Sequence, residues 1–158
     1  MKEVRKNYAL VLLRITLGLI FLWAFFDKLL GLGFATSPER SWINGGSPTF
    51  GFLSKAVHGP LTDFYHALAP SQIVAWLFML GILFIGISCT FGIATRLGSI
   101  AGAALSLLMW SALLPPANHP FLDEHIVYLF AFLAIAFSES RIWSLSEIGF
   151  LRKYKLLK

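Results

Sequence analysis

Four long apolar runs constrain this 158-residue chain more than any other feature. They span residues 8–32, 73–94, 97–114 and 121–137. A helix needs about 20 residues to cross the hydrocarbon of a bilayer. The first three runs meet or approach that length, and the fourth is slightly short. Strands are not expected, because the runs are too long and lack strict alternation. The sequence therefore predicts an all-α, integral membrane four-helix bundle forming a single domain over residues 1–158. Residues 33–71 form a long connection between the first and second spans.

The charges support this reading. Only 13% of residues are charged and 57% are apolar, against roughly a quarter charged in a soluble domain. The net charge of +5 is not gathered on one face, so nucleic acid is not an expected partner. It sits at the ends, with Lys2, Arg5 and Lys6 before the first run and Arg152, Lys153, Lys155 and Lys158 after the last. Arg96 and Arg141 fall on the same side as these clusters. Arg40 and Lys55 on the other side are balanced by Glu39, Asp63, Asp123 and Glu124. The positive-inside rule then predicts cytoplasmic N- and C-termini, a cell-membrane location and an external connection over 33–71. The start reads as the first span and not as a cleaved signal peptide. The single cysteine, Cys89, excludes an intrachain disulfide and a CxxC pair.

Small residues mark where helices approach. Gly98, Gly102 and Ser106 form a small-xxx-small series, and Gly81 and Gly86 lie in the second run. The long connection is rich in aromatic and apolar side chains, including Phe34, Trp42, Ile43, Phe50, Phe52, Phe64 and Tyr65. Connections of this length are often functional. After Pro60, the residues Leu61, Phe64, Tyr65 and Leu68 have helical spacing. They predict a short amphipathic helix, lying on the membrane or capping the bundle. Asn44-Gly45-Gly46 and Ser47-Pro48 read as turns.

The candidate chemistry gathers at the external mouth. Asp27 and Lys28 end the first run, Trp110 and Ser111 end the third, and Asn118, His119, Asp123, Glu124 and His125 open the fourth. Trp42, Asn44 and His58 lie in the connection above. Asp27, Asp123, Glu124 and His125 are the candidate proton carriers, since His125 sits inside the acidic run and Tyr128 follows three residues on. Lys28, Arg40, Trp42, Asn44, Trp23, Trp110, Tyr128 and Arg14 are the candidate binding residues. Plainer roles compete with each of these. Acids in a first helical turn complement the helix dipole. Arg14 lies inside a span but close enough to its start to snorkel. Cys89 suits a packed small residue. The histidines lack ligand spacing, so no metal site is expected.

Several stretches carry a family resemblance. The run Leu13–Leu29, with Arg14, Gly18, Trp23 and Asp27-Lys28, resembles the opening helix of the DoxX/DoxD family. Thr36-Ser37-Pro38, Trp42 through Thr49 and Gly51-Phe52-Leu53 are similar to its DoxD branch. So are Gly59-Pro60, Trp76 through Gly81, and Pro115-Pro116 through Asn118 and Pro120 to Asp123-Glu124-His125-Ile126. The resemblance covers about residues 8 to 145. It implies a membrane subunit of a thiosulfate:quinone oxidoreductase, with thiosulfate oxidised to tetrathionate and membrane quinone as electron acceptor. The DoxA partner, sometimes fused in this family, is not expected within this chain. That leaves a separate DoxA-like subunit or another activity. The resemblance brings no catalytic motif, so the candidate residues rest on position and chemistry.

The leading expectation is thus a quinone-linked membrane oxidoreductase subunit, embedded in the bilayer with a DoxA-like partner or as a homo-oligomer. Neither a metal nor a disulfide cofactor is expected. The alternative is a non-catalytic scaffold or assembly subunit of a respiratory or redox complex. A solute carrier ranks last, because four helices are few and no inverted repeat is visible.

Overall fold

The computed structural model describes residues 8–138 and 143–145. The basic residues at both ends of the chain, and Arg141, lie outside the described residues. The described residues are all-helical, with no strand among them. The helices are α1 (Tyr8–Leu30), α2 (Thr62–Leu68), α3 (Gln72–Phe91), α4 (Thr95–Ala112) and α5 (Glu124–Ala136). Two of them, α1 and α3, are long and apolar enough to cross a membrane.

The helix limits follow local chemistry. Helix α3 starts at Ser71, whose hydroxyl accepts from the Val74 amide. It stops at Gly92, where φ is 70° and the Gly92 and Ile93 amides both donate to the Ser88 carbonyl. Helix α4 follows after two further residues, so Arg96 lies in its first turn rather than in the connection. Helix α5 begins later than expected, at Glu124 and not near Phe121. The Asp123 carboxylate caps it by accepting from the His125 and Ile126 amides. Apolar Phe121 and Leu122 stay outside the helix and exposed.

Four helices share one core. Leu17 and Phe21 of α1, Met79, Ile82, Ile85 and Cys89 of α3, Ala103 of α4, and Phe132 and Ile135 of α5 are all buried in it. Phe21 meets Phe132 edge-on, with ring centroids 5.4 Å apart. The glycines set the closest approaches. A methyl group at Gly102 would lie 2.7 Å from the Phe132 ring, and one at Gly86 would lie 2.7 Å from Leu22 Cγ. At Gly98 it would run into Ser88. Of the small residues named from the sequence, Gly81 alone has open space beside it. Cys89 is fully buried, its sulfur 3.7 Å from the Ser99 hydroxyl, as a packed small residue should be.

The long connection between α1 and α3 folds over one end of these helices. Two 3₁₀ turns, Pro38–Arg40 and Trp42–Asn44, lead to a π-helical turn at Phe52–Ala56 and then to α2. The expected short helix is present, but it starts at Thr62, with Pro60 outside it. Only part of its expected apolar face is used. Tyr65 and Ala69 are buried with Leu53, Val57 and Ala112 in a second, smaller core, while Leu61 and Phe64 are exposed. Tertiary contact with the end of α4 picks the face. Tyr65 Oη sits 2.6 Å from Ser111 Oγ and 3.0 Å from the Leu108 carbonyl. Helix α2 therefore caps the end of α4.

Candidate functional site

The residues expected at the mouth have distinct positions in the structure. Asp27 is 2% exposed and is committed to the chain that follows it. Its two oxygens accept from the Phe34 and Ala35 amides at 3.2 and 3.1 Å. A buried carboxylate without such donors would be costly. Asp27 therefore shapes the exit from α1. Lys28 next to it is half-buried, its ammonium 5.9 Å from the centroid of the Phe78 ring, within cation–π range. Trp23, one turn earlier, is half exposed and meets Phe34 edge-on at 5.0 Å.

Asp123 also has a backbone role as the cap of α5. Its second oxygen lies 2.9 Å from His125 Nδ1, so the acid and the imidazole form a pair at the helix start. Glu124 beside them is exposed. One ligand atom from each of Asp123, Glu124 and His125 falls within 4.8 Å of the others. With both Asp123 oxygens engaged by the cap and the imidazole, this cluster is a helix terminus first and a ligand set second. Tyr128 is half-buried against the main core, and Trp110 donates from Nε1 to the Phe121 carbonyl at 2.8 Å.

Arg40 and Asn44 lie in the paired 3₁₀ turns. Arg40 is exposed and donates to the Ser37 hydroxyl, and Asn44 Nδ2 donates to the Pro38 carbonyl at 2.9 Å. Glu39 is fully exposed. A backbone amide and the Ser37 hydroxyl hold its carboxyl below the usual range. Gly45, with φ of 85°, ends the second turn, and Gly46 passes so close to the Arg40 carbonyl that no side chain fits there.

Arg14 belongs to the opposite end of the molecule, about 20 Å along α1 from Asp27 at 1.5 Å per residue. It is 3% exposed and donates from Nη2 to the Trp143 carbonyl at 2.8 Å. The Ser144 hydroxyl donates to the Gly92 carbonyl beside it. Arg14 and Ser144 thus tie α1, the end of α3 and residues 143–144 together, away from the mouth residues.

The cleft at the loop end has a lining the sequence showed only in part. Its volume is about 330 Å³. Trp42 from the connection meets Trp76 from the second turn of α3, with centroids 4.5 Å apart and planes at 70°. Ser47 and Phe50 line one side, and Ser71 and Gln72 the other. Of the expected site residues, Trp42 alone lines it. Trp76 is not among the candidate residues that position and chemistry nominate in the sequence. Its position near the start of an apolar run, where interfacial tryptophans collect, is the signal that could have found it. The cleft joins an indole wall to hydroxyl and amide groups and holds no charged side chain, so it suits a flat, mostly neutral ligand with polar edges.

The fold and the cleft define a class: an all-helical protein with membrane-length helices and a docked loop that encloses a tryptophan-walled cleft. Compared with protein-family models, curated proteins and solved structures, the chain matches none.

Proposed function

We propose that this chain is a four-helix integral membrane protein with cytoplasmic termini, and that it serves as the quinone-binding subunit of a DoxX/DoxD-type oxidoreductase. Support for the membrane comes from the outer faces of the helices. Only 28% of the apolar window in α1 and 39% of that in α3 is buried, whereas a core helix of a soluble domain would be mostly buried. Leu12 and Leu19 of α1, Ile73 and Leu77 of α3, and Val127 and Phe130 of α5 are exposed. Lipid is the solvent that makes such a surface stable.

The single observation that carries the quinone reading is the Trp42–Trp76 cleft. It opens at the level of the first turns of α3, where a headgroup at the membrane interface would enter. A quinone ring would lie against the indoles, with its carbonyl oxygens near the Ser47 and Ser71 hydroxyls and the Gln72 amide. The electron donor implied by the resemblance is thiosulfate. Two thiosulfates joined as tetrathionate release two electrons, which reduce one quinone with uptake of two protons. Lys28 and Arg40, with Lys55 on the same connection, are cations at this end available to a dianion, and Glu124 and the Asp123-paired His125 are the less committed proton carriers.

Tryptophan fluorescence of the full chain in lipid nanodiscs tests this. A short-chain quinone analogue should quench it saturably. Trp42→Ala and Trp76→Ala should each weaken binding by about 3- to 10-fold, since an aromatic pair contributes about 0.5–1.5 kcal/mol beyond its area. Thiosulfate-dependent quinone reduction, measured with and without a DoxA-like subunit, tests the reaction. Its absence in both cases, with no quenching, would sink the reading.

A second reading, a scaffold or assembly subunit, is favoured by one observation. The carboxylates of Asp27 and Asp123 accept from backbone amides, which suits groups that shape chain ends. Co-purification with a redox complex, unchanged in Lys28→Ala and His125→Ala, would support it.

A further inference from the structure

The connection leading to α2 is fastened to the turn after α4 by one imidazole. His58 Nδ1 lies 3.0 Å from the Ala56 carbonyl, and His58 Nε2 lies 3.0 Å from the Pro115 carbonyl. A carbonyl oxygen can only accept. A neutral imidazole has one N–H and one lone pair, so it can serve one of these carbonyls and repels the other. The imidazolium, with two N–H groups, serves both. The backbone is drawn together at the same point. The His58 amide donates to the Ala112 carbonyl at 3.2 Å. Gly59, with φ of 87°, passes so close to the Leu114 carbonyl that any side chain would collide with it.

We propose that His58 is a proton-operated latch, which holds the long connection against the α4–α5 turn when protonated and releases the Pro115 side of the clasp when neutral. The released turn leads through Trp110 and Phe121 to the start of α5, and the released connection carries the wall of the Trp42 cleft at its other end. The latch therefore makes the geometry of the loop end depend on the acidity of the solution that bathes it. This inference does not require the cleft to bind a quinone.

The electrostatics agree with the geometry. The Ala56 carbonyl first, then that of Pro115, raises the His58 pKa above its ordinary value; desolvation of the ring opposes them, and the Leu113 carbonyl adds a smaller push upward. The charged or titratable side chains on the surrounding elements are Lys55 on the π-helical turn, Asp63, Tyr65 and His66 on α2, and His119 in the α4–α5 connection. None of these is among the groups that shift it. The sign follows. A group whose pKa is raised in the latched state stabilises that state fully below its free value of about 6.5. That stabilisation is lost as pH rises through the raised value.

The test uses the full chain in nanodiscs, with ¹⁵N-labelled histidine and amide hydrogen exchange followed over a pH series and corrected for intrinsic exchange. The His58 ring should titrate above about 6.5. Protection of the amides of residues 57–59, 61–62 and 112–114 should fall as the ring deprotonates, by on the order of tenfold for each unit by which latched and free pKa values differ. In His58→Arg, which carries permanent N–H donors, protection should persist at alkaline pH. In His58→Ala it should be low throughout. Protection that stays flat while the His58 ring titrates overturns the latch, as does a ring midpoint at or below the free value. If His58→Ala fails to fold, the contrast between the wild-type chain and His58→Arg decides, and equal pH dependence in the two counts against it.

Discussion

Tyr65 Oη lies 2.6 Å from Ser111 Oγ, and both hydroxyls reach the Leu108 carbonyl. This shared acceptor joins α2, in the connection, to the last turn of α4. The Tyr65 ring also fills the small core with Val57, Ala69 and Ala112, so one side chain supplies both packing and a hydrogen bond at the junction. Tyr65→Phe keeps the ring and removes the hydroxyl. It should lower stability by about 1 kcal/mol, because Ser111 retains the Leu108 carbonyl. Tyr65→Ala should cost about 3–5 kcal/mol, the range for emptying a buried aromatic site. Thermal unfolding in detergent, with exchange measured over residues 57–69, checks both. Equal losses for the two variants would mean that the ring does not pack as described.

Asp27 separates a structural role from a catalytic one. Asp27→Asn retains a single carbonyl oxygen for two backbone donors and loses the charge that strengthens them. It should destabilise the exit from α1 by about 1.5–3 kcal/mol and loosen residues 33–36 in hydrogen exchange. A proton relay at this position predicts a different pattern. Asp27→Asn would then abolish quinone reduction while the unfolding midpoint and the protection of that segment stayed unchanged.

The glycines give an internal contrast. Gly102→Ala places a methyl group 2.7 Å from the Phe132 ring, which is itself fully buried and cannot retreat. It should destabilise by about 1–3 kcal/mol through overpacking between α4 and α5. Gly81→Ala meets open space in an ordinary helical conformation. It should leave the protein unchanged or stabilise it by about 0.5–1 kcal/mol, the helical advantage of alanine over glycine. Paired unfolding curves in one detergent test this, and equal effects at the two sites would contradict the packing.

Much of the architecture was legible in the chain, and its errors have local causes. The apolar runs mark four of the five α-helices to within about three residues, because a run of about twenty apolar side chains away from water leaves helix as the way to satisfy its backbone. Helix α5 starts three residues after the apolar run does, because Phe121 and Leu122 continue the apolar pattern without being helical. The Asp123 side chain overrides them by capping one residue before Glu124. The face of α2 was half right. Periodicity nominated Leu61 and Phe64 together with Tyr65, but only a surface able to receive them could decide, and α4 receives Tyr65. The candidate acids were found as residues, but not the backbone amides that occupy Asp27 and Asp123.

By itself, the sequence determined the helical class, the length of the apolar segments, the small residues that allow close approach and the existence of a long aromatic connection. These are properties of neighbouring residues, governed by hydropathy and by helical period. Only the tertiary structure decided that Trp42 meets Trp76, that Arg14 reaches Trp143 far from the mouth residues, and that His58 joins two loops through Pro115. Each of these pairs is distant along the chain, and no local propensity encodes them. They come together because four helices bury one core around Phe132 and Met79, and that packing leaves the Ala112 end of α4 for the connection to cover.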